Sequence, residues 1–491
     1  MSSHILLQNA TILVPSHEPN DYVVPLRGHS LLITNNEISQ IERDIAPPAG
    51  AKVIDCTDKI VSPGFIDTHH HLWQTQLKGR HANHSLLEYM PTGNMQHANY
   101  APEDVFWGEL GGCLEALDAG TTTVVDHAHV NVSPAHISSR IRSVFCYTPT
   151  MRVKTFKPDL TLDGGLLDDW VIDHLKRLGA DAPFGDGRVR LGFAFDGFML
   201  PKEQVVSIYE AARKAGVKVV TSHYVRGYFN DVSFVDTLES YGLLGPDILF
   251  SHATNLTESD IAKLTQAKAW ISTTPGTELQ MGHGNIVCFQ KGCTDMCALG
   301  VDCHSNNSGD MVSQMRLALQ HERSCRNEEV ISQGKTTGSL NLFVQDVFRL
   351  GTIQGARAIH MEDKLGSIEV GKLVDLVIFD GNSPGMVCAS EQDPVAAIVL
   401  HSSVRDIDTV IVDGQIRKHH GKLSTVQINP SMSGVTIAKQ SVEWSQVAKE
   451  LVSSRGKIEN AMANACANEP DLLDKAFRKF AHLDESKFVK L

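Results

Sequence analysis

The chain has 491 residues, of which 42% are hydrophobic and 21% charged, with 38 glycines and a formal net charge of −13. Such a length can bury a large core, and the composition is that of an ordinary globular enzyme. The acidic balance excludes nucleic acid or an anionic membrane as main partner, because both reward basic patches.

No run of about 18 apolar residues is present, so no membrane span is expected. The start "MSSHILLQNATILV" lacks the basic segment and long apolar core of a secretion signal, and cytoplasm is the default location. Three of the ten cysteines fall in "GCTDMCALGVDC", but Cys293 and Cys297 have no second pair at zinc-knuckle spacing. They read as buried thiols of a reducing compartment.

Residues 1–63 carry short apolar strands broken by turns: "HILLQNATILV", "HSLLITNNEISQIE" and "AKVIDCTDKIVSPG". From residue 64 to 365 the rhythm changes. Eight apolar, β-rich runs follow one another: "GFIDTHHH", "GTTTVVDHAHV", "SVFCYTPTM", "RVRLGFAFDG", "GVKVVTSHY", "DILFSHAT", "KAWISTTP" and "MCALGVDCHS". Segments of helical period, such as "PKEQVVSIYEAARKAG" and "TESDIAKLTQAKA", lie between them. This alternation predicts an α/β fold, a TIM-type (β/α)₈ barrel. Residues 366–425 return to short strands, "LVDLVIFDG", "AAIVLHSS" and "IDTVIVDGQIRKHHGKL", which are expected to pair with the N-terminal strands in one small β-sandwich. Residues 426–491 form a helical extension; its "VEWSQVAKELVSSRGKIENAMANA" is an amphipathic helix that covers either the barrel or a partner subunit.

Chemistry in such a barrel sits at the C-terminal ends of the strands. The first predicted strand ends in His69, His70 and His71, and alternation sends His69 and His71 one way and His70 the other. The fifth ends in His223, the sixth in His252 and the eighth in Asp302. The 29 residues from His223 to His252 match one βα unit, and the 50 from His252 to Asp302 match two short ones. Three imidazoles and a carboxylate suit a borderline cation, Zn²⁺ foremost, with room for a water. Asp302 could touch both the metal and the water's proton, and His252 could hold the water or a substrate oxygen. A single histidine is more often a hydrogen-bonded core residue; five polar groups closing four apolar runs are not.

"PGFIDTHHHL", "GTTTVVD", "LGVDCHSNNSGDM" and "KLGSIEVGKLVDLVIFD" together resemble the amidohydrolase superfamily, in particular its cytosine-deaminase and atrazine-chlorohydrolase-like branch. The resemblance runs from about Ile5 to Lys422. It implies a barrel with a β-sandwich made from both chain ends, and one divalent metal, zinc or iron. It implies hydrolysis of a non-peptide carbon–nitrogen or comparable bond in a small, often heterocyclic substrate. Homo-oligomers are common in that family. By the same resemblance His69, His71, His223 and Asp302 match the metal ligands, His252 lies beside the attacking water, and Gln74 lies where substrate is contacted.

One position departs from the branch. Its deaminases carry His-x-x-Glu at the fifth strand, the glutamate shuttling protons to the leaving nitrogen, whereas "SHYVRG" places Arg226 at that offset. Arginine, with a pKa above 12, cannot be that acid or base. Arg226 either clamps an anionic substrate in bidentate fashion or turns outward to a carboxylate on the rim. Candidates for the missing proton carrier are Glu278 in "TTPGTELQMGHG", His304, and His127 or His129 in "VVDHAHV"; Glu278 and His304 also stand as substrate contacts. Relatives with two metals place lysine or glutamate on the fourth strand, where "RLGFAFDGFML" offers only Asp196, so one metal is expected. A decarboxylase on the same barrel, and a non-catalytic paralogue, are the competing readings; the second conflicts with a full ligand set.

Overall fold

Runs such as Thr121–Ala128 and Ile248–Thr254 are buried along their whole length, a pattern that only a strand covered on both faces can satisfy. The computed structural model, which describes residues 3–16, 20–130, 135–228, 231–428, 440–466, 469 and 471–489, assembles eight such runs into a parallel barrel. In order they are Phe65–His70, Thr121–Ala128, Arg142–Tyr147, Val189–Ala194, Val220–Val225, Ile248–Thr254, Trp270–Thr273 and Cys297–Leu299. Each pairs in parallel with the next. Closure comes from the first and last: Asp302 N donates to His69 O at 2.8 Å and His71 N to Asp302 O at 2.9 Å. Every predicted barrel run is a barrel strand.

The connecting helices follow their sequence period. Lys202–Lys214 buries Val205, Ile208, Tyr209 and Ala212, one stripe at i, i+3, i+4 and i+7. Glu258–Ala267 begins with Thr257 and Asp260 capping each other reciprocally.

The two chain ends meet in one nine-stranded sheet. Leu376–Asp380 lies antiparallel to Lys59–Pro63, from Leu376 opposite Pro63 to Asp380 opposite Lys59, which joins the C-terminal strands to the N-terminal ones. This part has a core of its own, including Leu7, Ile12, Ile33, Val61, Leu376 and Ile411. The run "AAIVLHSS", expected as a strand, is helical instead. Asp393 accepts hydrogen bonds from Val395 N and Ala396 N, Pro394 starts the turn, and Ser402 N closes a wide turn onto Ala397 O at 2.9 Å. Ala397, Ile398 and Val399 are all buried, so the apolar run carried no strand alternation that could have separated the two outcomes.

A buried charge network bolts this sheet to the barrel. Arg142, at the start of the third barrel strand, donates to both oxygens of Asp375 (2.8 and 3.1 Å) and to Asp413 Oδ1 at 3.2 Å. Arg188 reaches Asp413 Oδ2 at 3.2 Å. Removing one partner of a buried pair strands the other, so Arg142→Ala is expected to lower unfolding free energy by about 3–5 kcal/mol in denaturant titration.

The C-terminal extension covers the barrel. Trp444–Ala465 turns Val447, Leu451, Ser454 and Ile458 inward, and Ser454 Oγ donates to Asp104 Oδ1 (2.6 Å) on the helix Pro102–Asp118. Leu472–Phe480 packs Leu472, Leu473 and Phe477 against Leu87, Met95 and Phe156. Among the described residues no helix is long and apolar enough to cross a membrane.

Candidate metal centre

Strand alternation places the first candidate ligands. His70 turns outward from the mouth, where Asp67 Oδ2 accepts its Nδ1–H at 2.7 Å, and Asp67 Oδ1 accepts from Val301 N at 3.1 Å. His69 and His71 turn the other way and meet His223 and Asp302, with the ligand atoms of all four within 4.8 Å of one another. Asp302 Oδ1 lies 3.1 Å from His69 Nε2 and 3.2 Å from His71 Nε2, and His71 Nε2 lies 3.2 Å from His223 Nε2.

What holds each ring decides which nitrogen is free. His71 Nδ1 donates to the carbonyl of His127 at 2.9 Å, and a carbonyl can only accept. His223 Nδ1 donates to Asp196 Oδ2 at 2.8 Å, while the His223 backbone N–H donates to Asp196 Oδ1 at the same distance. His69 Nδ1 meets Ser251 Oγ at 2.8 Å. The acceptors behind His71 and His223 leave Nε2 of those rings as the nitrogen facing the common point, and the Ser251 hydroxyl, which can accept from Nδ1, holds His69 the same way, as outer-shell groups orient metal-binding histidines. Burial holds His69 well below the usual imidazole range. Burial opposes ionisation of Asp302, but the His69 and His71 rings beside it outweigh burial and keep its carboxyl well below the usual range. Three imidazole nitrogens and an ionised carboxylate facing one point are the kind of donors that a cation draws together. The donor set fits a divalent metal ion.

Asp302 and His252 both adopt the left-handed backbone region, at φ 70° and 71°, a strain that marks residues held for use. Burial lowers His252 to about 4, so its ring is neutral. Its Nδ1 bonds Thr274 Oγ1 at 2.8 Å and lies 3.5 Å from Glu278 Oε1. Glu278 is fully buried; Oε1 accepts from Thr274 N at 2.7 Å, and burial pushes its carboxyl well above the usual range.

Two expected substrate contacts, Arg226 and His304, are placed differently. Arg226 donates from Nη1 to Asp260 Oδ2 at 2.7 Å, the same buried carboxylate that caps Glu258–Ala267, which is the outward pairing and not the anion clamp. Arg226→Ala is accordingly expected to change KM for anionic and neutral substrates alike, as steady-state kinetics with a matched pair would show. His304 faces away from these four side chains: its Nδ1 lies 2.7 Å from Glu115 Oε2 on the helix Pro102–Asp118, and its ring stands edge-on to His70. A buried imidazole gains most where a carboxylate can share its proton, and that carboxylate is behind the strand. Gln74 is fully buried, with its amide bound to Tyr89 and Ser305.

His283 went unnoticed in the sequence. It is buried with both ring nitrogens unpartnered, 4.7 Å between centroids from His252. Gly282 and Gly284 flank it at positive φ, so its turn ends no apolar run and carries no period. Asp196 and Ser251 were equally silent as partners of the ligand rings.

The Amidohydrolase family profile matches residues 60–417, most of the chain. The chain belongs to the amidohydrolase family. It is a metal-dependent hydrolase acting on carbon–nitrogen bonds other than peptide bonds. This amidohydrolase is 28% identical over 436 residues to a 5'-deoxyadenosine deaminase of Methanobrevibacter smithii, covering 86% of this chain and 94% of that one. It is 28% identical over 403 residues to a 5-methylthioadenosine/S-adenosylhomocysteine deaminase of Thermococcus kodakarensis, covering 79% and 88%. Among solved structures, an adenosine deaminase from Xanthomonas campestris with bound zinc superposes with TM-score 0.74 at 19% identity, over 93% of this chain and 99% of that one. Atrazine chlorohydrolase from Arthrobacter aurescens complexed with zinc gives 0.71 at 18%, over 92% and 100%. These two likenesses establish a shared fold.

Proposed function

We propose that this amidohydrolase removes an amino group hydrolytically from a small nitrogen heterocycle, with His69, His71, His223 and Asp302 holding one zinc ion. The observation that carries the reading is the convergence of three imidazoles and the Asp302 carboxylate on one point, each ring held from behind. Iron shares these ligands; zinc is preferred because the structural neighbours hold it. When bound, such an ion brings the pKa of water to roughly 7.

The residues around it divide the remaining work. Asp302, ionised and buried, accepts the water's proton. The neutral His252 ring orients water or substrate from the sixth strand. Glu278 replaces the absent fifth-strand glutamate: burial pushes its carboxyl well above the usual range and so favours the protonated form, its Oε2 has no partner, and Thr274 and His252 Nδ1 lie beside it. The decarboxylase reading needed Arg226 as an anion clamp, and Asp260 already occupies that guanidinium.

The test is ammonia release by metal-loaded and metal-stripped protein across amino-heterocycles, beginning with 5'-deoxyadenosine and methylthioadenosine because relatives act on them. Ammonia from at least one, lost on stripping and restored by Zn²⁺, is expected. Carbon dioxide as the product, or equal turnover without metal, would overturn the proposal.

A further inference from the structure

A second group of ligand-type side chains adjoins the first. His127, His129, Asp196 and His223 each offer an atom, all within 4.8 Å of one another. The two histidines close the second barrel strand, and Asp196 follows the fourth. His127 is fully buried with both ring nitrogens lacking hydrogen bonds; His127 Nε2 lies 3.4 Å from Asp196 Oδ2 without hydrogen-bond geometry. His129 is 7% exposed, and its Nδ1 is likewise unpartnered. Leaving buried polar atoms unmatched costs about 1–3 kcal/mol each, and a single occupant beside Asp196 could meet one nitrogen of each ring.

We infer that His127, His129 and Asp196 form a second divalent-cation site beside the first, with His223 standing between the two. The rings bear this out: His129 lies 4.4 Å from His71 and parallel to His223 at 5.8 Å between centroids. Asp196 can serve both sets, because each carboxylate oxygen that accepts a His223 N–H keeps a further lone pair. Two imidazoles and one carboxylate suit Zn²⁺ or Fe²⁺ and leave positions open for substrate atoms. Two adjacent cations would clamp both the attacking and the leaving atom of a hydrolysis. The fourth strand lacks the lysine or glutamate of two-metal relatives, which is why the sequence pointed to a single ion; the second strand supplies these ligands instead.

The inference goes beyond the single-ion reading and is separable from it. Metal-stripped full-length chain is titrated with Zn²⁺ alone, and bound metal is counted per chain by elemental analysis after gel filtration. Two equivalents are expected, falling to one in His127→Gln and in His129→Gln; His69→Ala should also retain one. Circular dichroism checks that each variant is folded, and the two single variants stand independently. One equivalent in the wild type, unaffected by either glutamine variant, would overturn the second site while leaving the first intact. Two equivalents unaffected by both variants would also overturn it, by placing the extra ion elsewhere, for example at the surface group Asp408, His419 and His420. Loss of every equivalent in His69→Ala would count against independent binding at the second site.

Discussion

His69→Ala is expected to remove one metal equivalent and to lower kcat/KM by about 10³-fold or more, since water away from a metal keeps a pKa near 15.7 instead of roughly 7. His69 is central among the ligands: it is fully buried, meets Asp302 at 3.1 Å, and stands edge-on to His71, His223 and His252. Ser251→Ala provides the graded comparison. It leaves every ligand present but frees the His69 ring from its 2.8 Å anchor, and outer-shell changes of this kind weaken metal binding by about 10–100-fold. Excess Zn²⁺ should therefore restore Ser251→Ala and not His69→Ala. A His69→Ala protein that keeps both its metal content and its turnover would remove this ligand set from consideration.

What the sequence disclosed and what it hid divide along a physical line. A strand's period of two is local, so it exposed His69, His71, His223, His252 and Asp302 as groups closing apolar runs, and the barrel rule carried them to one mouth. The barrel strands were legible for the same reason. Partners across strands are not local. Asp196 holds His223 from a different strand, Ser251 holds His69, and nothing in the spacing of either announces it. Arg226 was conspicuous as a departure, yet its direction depended on Asp260, a helix cap 34 positions away. His304 failed for a related reason: nearness in sequence to Asp302 suggested the mouth, while Glu115 draws it to the outer layer. "AAIVLHSS" has no alternation, and an unbroken apolar run is equally content as a buried helical turn.

Glu278→Gln gives the sharper test of the chemistry, because it separates proton delivery from metal binding. Glutamine keeps the shape and still accepts the Thr274 N–H that holds the side chain, so folding and metal content should match the wild type. What it loses is the acidic proton that burial favours on the carboxyl by pushing it well above the usual range. An amine leaves as ammonia only once its nitrogen is protonated, and a missing general acid costs about 10²–10⁴ in rate. Chloride leaves without a proton. On paired heterocycles differing only in that group, Glu278→Gln should depress kcat for the amine by that factor and barely alter it for the chloride. Equal losses on both would assign Glu278 to positioning His252 and Thr274; no loss on either would leave the proton to another group, and His283, buried and unpartnered beside His252, is the one the geometry offers next.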